Sequence, residues 1–125
     1  QADVGIPAFG ASFLTFTQLT AISGDGTVAV GHASSGLSSG DAQAFKYTVA
    51  GASYAALGTL GGAWSKANAV NSDGTVIVGQ SSNGSGNPEA FVHQNGAITG
   101  LGFLSGGSIS SATGVSADGS VIVGF

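Results

Sequence analysis

The chain is 125 residues long, with 23 glycines, 6% charged residues and a formal net charge of −4. Its two basic residues, Lys46 and Lys66, exclude the clustered cationic surface that displaces counterions from nucleic acid and the polybasic helix that lies on an anionic membrane. A hydrophobic content of 42% excludes a charged disordered tail, and the lack of Cys excludes disulfides, thiolate zinc sites and thiol catalysis together.

In chain order, the apolar stretch Val4 to Phe9 stands where the last strand of a repeat would be. The segment Ala21-Ile22-Ser23-Gly24-Asp25-Gly26-Thr27-Val28-Ala29-Val30-Gly31 then recurs as Ala69 to Gly79 and again as Gly114 to Gly124, with Asp-Gly pairs 48 and 45 residues apart. Asp-Gly between short apolar stretches predicts a hairpin, because the turn needs φ > 0 where Gly has no steric cost. The stretches that follow (Val28 to Val30, Val76 to Val78, Val121 to Val123) are apolar without alternation, as in strands covered on both faces. Each ends at a glycine, Gly31, Gly79 or Gly124, read as a site of turns and close strand packing. Polar loops are expected next, over 34–41 and 81–88. An Ala-Phe strand follows in each copy (Gln43 to Tyr47, Glu89 to His93), then a turn at Gly51 or Asn95-Gly96, then a strand ending near Leu57-Gly58 or Leu101-Gly102. No helical periodicity is present.

Three signals sharing a period of about 45 residues define approximate units 1–56, 57–100 and 101–125 of a single all-β domain, the first and last incomplete or degenerate. Four short antiparallel strands per unit predict a β-propeller blade, with a stacked β-sandwich or a solenoid as the alternatives. A propeller closes with about four to eight blades, so a chain of this length cannot close one alone. No apolar run reaches the roughly 18 residues of a membrane-spanning helix. A start at Gln1 and the absence of Met fit removal of an export signal, and equally an excised fragment.

The pattern of residues 114–124, the Ala-Phe element at 44–45 and 90–91, and Leu57-Gly58-Thr59-Leu60-Gly61-Gly62 together resemble the HAF-type extracellular repeat. Such repeats occur in tandem in secreted bacterial proteins, including autotransporter passengers. The resemblance covers the chain after about residue 16. The Ala-Phe strands end in Tyr47-Thr48 and His93-Gln94 where the family pattern has an Arg-Trp type pair. The resemblance implies export and a tandem β fold; it does not imply an enzymatic activity.

Candidate chemistry is sparse. Asp25, Asp73 and Asp118 share one place in the repeat, so they read as turn residues with Gly26, Gly74 and Gly119, with calcium as the weaker reading. A catalytic pair needs two carboxylates in different environments converging on one bond, and these do not. His32 and His93 lie on different elements, and His93 replaces Tyr47, which points to packing. No nucleophile elbow or phosphate-binding loop is present, because no helix follows any glycine run. Phe16, Trp64 and Ile109 form one repeat column, read as packing between units, with an exposed ligand platform as the alternative. Asn83-Gly84-Ser85 is a glycosylation triplet in a polar loop.

The reading is therefore a non-enzymatic, cofactor-free extracellular or cell-surface module of structural or adhesive role. It associates with itself through open β-edges at Val4, Ile6, Phe9, Val121, Val123 and Phe125, which few charges protect from pairing. The alternative is a propeller segment that binds surface glycan through Trp64 and the loops.

Overall fold

The computed structural model describes residues 16–34 and 42–125, and every regular element among them is a β-strand. Ten strands form three antiparallel sheets. Unit one is β1 (Phe16–Ile22), β2 (Val28–Ser34), β3 (Gln43–Thr48) and β4 (Ser53–Ala56), hydrogen-bonded in that order. Unit two repeats it as β5 (Gly61–Val70), β6 (Ile77–Asn83), β7 (Pro88–Gln94) and β8 (Ala97–Gly100). Unit three consists of β9 (Ala112–Val115) paired with β10 (Ile122–Gly124). Each complete unit is thus a four-stranded meander of the propeller-blade kind.

The Asp-Gly hairpins form as the composition dictates. Gly26, Gly74 and Gly119 hold φ near +80° (76°, 83° and 79°), where a side chain would be strained. The preceding Asp braces each turn. Asp25 Oδ1 accepts from the Thr27 amide at 3.0 Å and the Thr27 hydroxyl at 2.6 Å, and Asp73 and Asp118 do the same with Thr75 and Ser120.

One part of the strand reading is corrected. Gly31 and Gly79 do not end the second strand, because β2 runs on to Ser34 and β6 to Asn83. Of residues 81–83, expected in a loop, Ser81 pairs with both neighbours, Ser82 with β7 and Asn83 with β5. Polar residues tolerate this because their hydroxyls find backbone partners: the Leu60 amide donates to Ser81 Oγ and the Trp64 amide to Ser82 Oγ. The turn proper is 84–87. The 35–41 stretch of the first copy lies outside the described residues.

The first strand of each unit carries a β-bulge opposite those mid-strand glycines. The register skips Thr20 in β1, Asn68 in β5 and Thr113 in β9. A Cβ at Gly31, Gly79 or Gly124 would overlap the carbonyl oxygen of Gln18, Lys66 or Ser111. Glycine is therefore what lets the bulge form, and the bulge re-aims the extra residue out of the ladder.

The core lies between sheets rather than within one. Val28, Val30, Ala44 and Leu57 of unit one form one buried cluster with Ala67, Ile77 and Phe91 of unit two. Val76, Val78, Ala90 and Val92 of unit two form the next with Ala112 of unit three.

Candidate functional site

The units are joined by the same set of contacts used twice. On the first strand, Ser65 donates its amide to the Ala42 carbonyl and accepts the Ala44 amide on Oγ, at 2.8 and 2.9 Å. Ser110 repeats this with Pro88 and Ala90, at 3.0 and 2.8 Å. The bulge residues reach forward: Thr20 Oγ1 donates to the Ala67 carbonyl at 2.6 Å, and Asn68 Nδ2 to the Ala112 carbonyl at 2.8 Å. The hairpin turns stack as well. Val28 lies where a Cβ on Gly74 would come within 2.5 Å of it, and Val76 within 2.8 Å of one on Gly119.

Among the described residues, parts of two faces of the joint type are exposed, although Phe45 of unit one is fully buried. The columns that the next unit covers on units one and two are uncovered on unit three. Val28 and Val76 are each 8% exposed, whereas Val121, in the same column, is 55% exposed. Val30 and Val78 are fully buried, whereas Val123 is 57% exposed. At the other end, Ala67 and Ala112 are buried by the preceding unit, but Leu19 of the same column is 38% exposed and Ile22 is 61% exposed. Gly26 meets nothing within 4 Å, unlike Gly74 and Gly119. Leu19, Ala21, Ile22, Gly26, Ala29, Tyr47 and Val49 line an open apolar groove of about 560 Å³ there.

The candidate residues fall as follows. The edge residues Val121, Val123 and Phe125 are exposed on or beside β10, whose outer side pairs with no strand among the described residues; Val4, Ile6 and Phe9 lie outside them. The three Asp carboxylates are solvent-exposed and held by the hydroxyls and amides of their own turns. These bonds hold all three below the usual carboxylate range, with Asp118 down to about 2. Among the described residues, no three His, Cys, Asp or Glu side chains gather as a metal would require. Trp64 is half-buried, with the Lys66 ammonium 5.7 Å from its ring centroid, a cation–π contact on one face of the ring. Ile109, in the same column, is 58% exposed, and the Phe16 side chain lies outside the described set. Asn83 uses Oδ1 to accept the Ser85 and Asn87 amides and Nδ2 to donate to Glu89, so the turn itself employs the amide of the glycosylation triplet. The joint residues Thr20, Ser65, Asn68 and Ser110 escaped the sequence reading. Ser65 and Ser110 share a repeat column, and that coincidence was the available signal.

His32 and His93 sit at the joint between units one and two. Burial chiefly lowers the pKa of both, and Lys66 adds repulsion at His32, as Lys46 does at His93. Each lysine belongs to the other unit. The unfolded chain therefore takes up protons below pH 6.5 that the folded chain refuses, so stability falls as pH drops through that value. The Asp turns act in a separate, more acidic window: their contribution is present above the ordinary aspartate range and is lost as pH falls through the lowered values, about 2 at Asp118. We expect a two-stage decline in melting temperature on acidification. His32→Gln combined with His93→Tyr, the residues of the matching columns, should flatten the first stage and leave the second. An unchanged first stage in that variant would remove this account.

No helix among the described residues is long and apolar enough to cross a membrane. No family model matches the chain, and no curated protein does either. Among solved structures, the crystal structure of TolB from Acinetobacter baumannii is similar, with a TM-score of 0.62 at 23% identity over 90% of this chain. The match spans 26% of that protein's length. At this identity the likeness bears on fold alone, and with the repeated four-stranded meanders it makes the chain an all-β segment of β-propeller type.

Proposed function

We propose that this chain is a secreted structural module, of the HAF-repeat kind, that works by joining copies of itself into an extracellular multimer. The observation that carries this reading is that the joint between units is used twice with the same contacts. Among the described residues, apolar positions of the columns that unite unit one with unit two and unit two with unit three are exposed at Leu19 and Ile22 and at Val121 and Val123. A head-to-tail contact of this kind is heterologous, and heterologous contacts propagate into rings or filaments. Few charges oppose it, since the chain has two basic and six acidic residues in all.

Sedimentation velocity over a hundredfold concentration range tests the proposal. The wild type should form species larger than one chain, in proportions that grow with concentration. Val121→Lys with Ile22→Lys, which charges both ends while sparing the internal joints, should return it to monomer. A wild-type chain that stays monomeric throughout would overturn the proposal.

A further inference from the structure

The fold treats the five asparagines of the chain unequally. Asn68 Nδ2 donates to the Ala112 carbonyl at 2.8 Å. Asn71 Oδ1 accepts the Val76 amide, and its Nδ2 donates to Thr75 Oγ1. Asn83 makes three bonds with its side-chain amide, to Ser85, Asn87 and Glu89. Asn87 precedes Pro88, whose nitrogen carries no hydrogen. Asn95 is exposed, and among the described residues no hydrogen bond engages its side chain. Asn95 and Gly96 are the two loop residues of the β7–β8 hairpin, since Gln94 pairs with Ala97. Both hold positive φ, 55° and 78°, as a type I′ turn requires.

We infer that Asn95 is a site of spontaneous deamidation, selected by the fold from every Asn-Gly and Asp-Gly pair of the chain. The Gly96 backbone nitrogen attacks Asn95 Cγ, and glycine has no side chain to shield the approach. A nitrogen–carbon bond forms, the Cγ–Nδ2 bond breaks, and ammonia leaves with the proton of the Gly96 amide. Water then opens the five-membered imide at either carbonyl, which gives aspartate or isoaspartate at position 95. This site is independent of the self-association proposed above.

The other four pairs are blocked in two ways. At Asn83-Gly84, turning Cγ toward the Gly84 amide would break the three bonds of the side chain. In the Asp-Gly turns the attacking nitrogen is itself engaged: Gly26, Gly74 and Gly119 donate to the Ser23, Asn71 and Ser116 carbonyls at 2.9, 3.3 and 2.9 Å. The carboxylates of those turns, held by the Thr27, Thr75 and Ser120 hydroxyls, stay ionised and resist a nucleophile. The Gly96 amide donates no bond among the described residues. The isoaspartyl product routes the backbone through the side chain and lengthens the two-residue loop by one methylene. Loop length sets hairpin register, so the pairs Gln94–Ala97 and His93–Ile98 are the ones displaced. Among the described residues β8 has β7 as its one sheet neighbour, so it loosens with them.

Ageing the folded chain in mildly alkaline buffer tests this, with peptide mapping by mass spectrometry and an isoaspartyl methyltransferase to report isoaspartate. Asn95 should react about tenfold or more faster than Asn83, whose reaction waits on local opening of its turn. In the urea-unfolded chain the two rates should converge, because both residues precede glycine. Equal rates at Asn83 and Asn95 in the folded chain, or no reaction at Asn95, would overturn the proposal. So would a difference that persists after unfolding, since the fold would then not be what selects the site. Freshly prepared Asn95→Asp brings the charge without the methylene. It should keep the slow hydrogen exchange of β8, and the isoaspartyl form should lose it; equal exchange in the two would overturn the loosening of β8.

Discussion

Phe91→Ala is expected to lower the free energy of unfolding by about 3–5 kcal/mol, the range for emptying a fully buried aromatic site. Phe91 is 0% exposed and belongs to the cluster that welds unit one to unit two. Its removal opens a cavity at the joint and uncovers Leu57 and Ile77 together. Such a loss is a large fraction of the 5–15 kcal/mol of a typical domain. Phe103→Ala is the control: Phe103 is 36% exposed on the link between units two and three and should cost about 1 kcal/mol or less. Guanidinium unfolding of the two variants at equal protein concentration makes the comparison. Holding concentration fixed keeps the mass-action contribution of any self-association common to the two measurements. If Phe91→Ala cost no more than Phe103→Ala, the joint would not be where the fold is held.

The repeat made the units legible because Asp-Gly turns and Ala-Phe strands are local signals. Three copies of Asp25-Gly26, Asp73-Gly74 and Asp118-Gly119 sit in the turns with the φ values that the pairing of residues implies. Strand extent was less legible. Ser81 to Asn83 read as loop because polar residues are depleted from strands, and the bonds that the Ser81 and Ser82 hydroxyls accept from backbone amides cannot be seen in composition. The joints were almost invisible for a related reason. Thr20 and Asn68 are unlike in chemistry, and share a role only because each is the extra residue of a bulge aimed at the next unit.

Gly79→Ala is expected to cost about 4 kcal/mol or more, an exceptional value for adding one methyl group. A Cβ there would overlap the Lys66 carbonyl oxygen and come 3.0 Å from Ala67 Cα. Both are backbone atoms, so no side chain can swing aside, and relief requires β5 and β6 to part. Those strands carry the bulge that aims Asn68 at unit three, and Trp64 lies at their far end, where its carbonyl accepts from Ser81 Oγ at 3.1 Å. Trp64 is the sole tryptophan, so its fluorescence reports the parting directly. Gly84→Ala, in the turn after β6, is the matched control: nothing lies within 4 Å of the added Cβ, and stability should stay within about 0.5 kcal/mol of wild type. Equal stability of the two variants would mean that the close approach of β5 to Gly79 is dispensable. The expected result is loss of the cooperative fluorescence transition in Gly79→Ala alone, together with loss of unit three's attachment, since the bulge that makes Asn68 available depends on the same glycine.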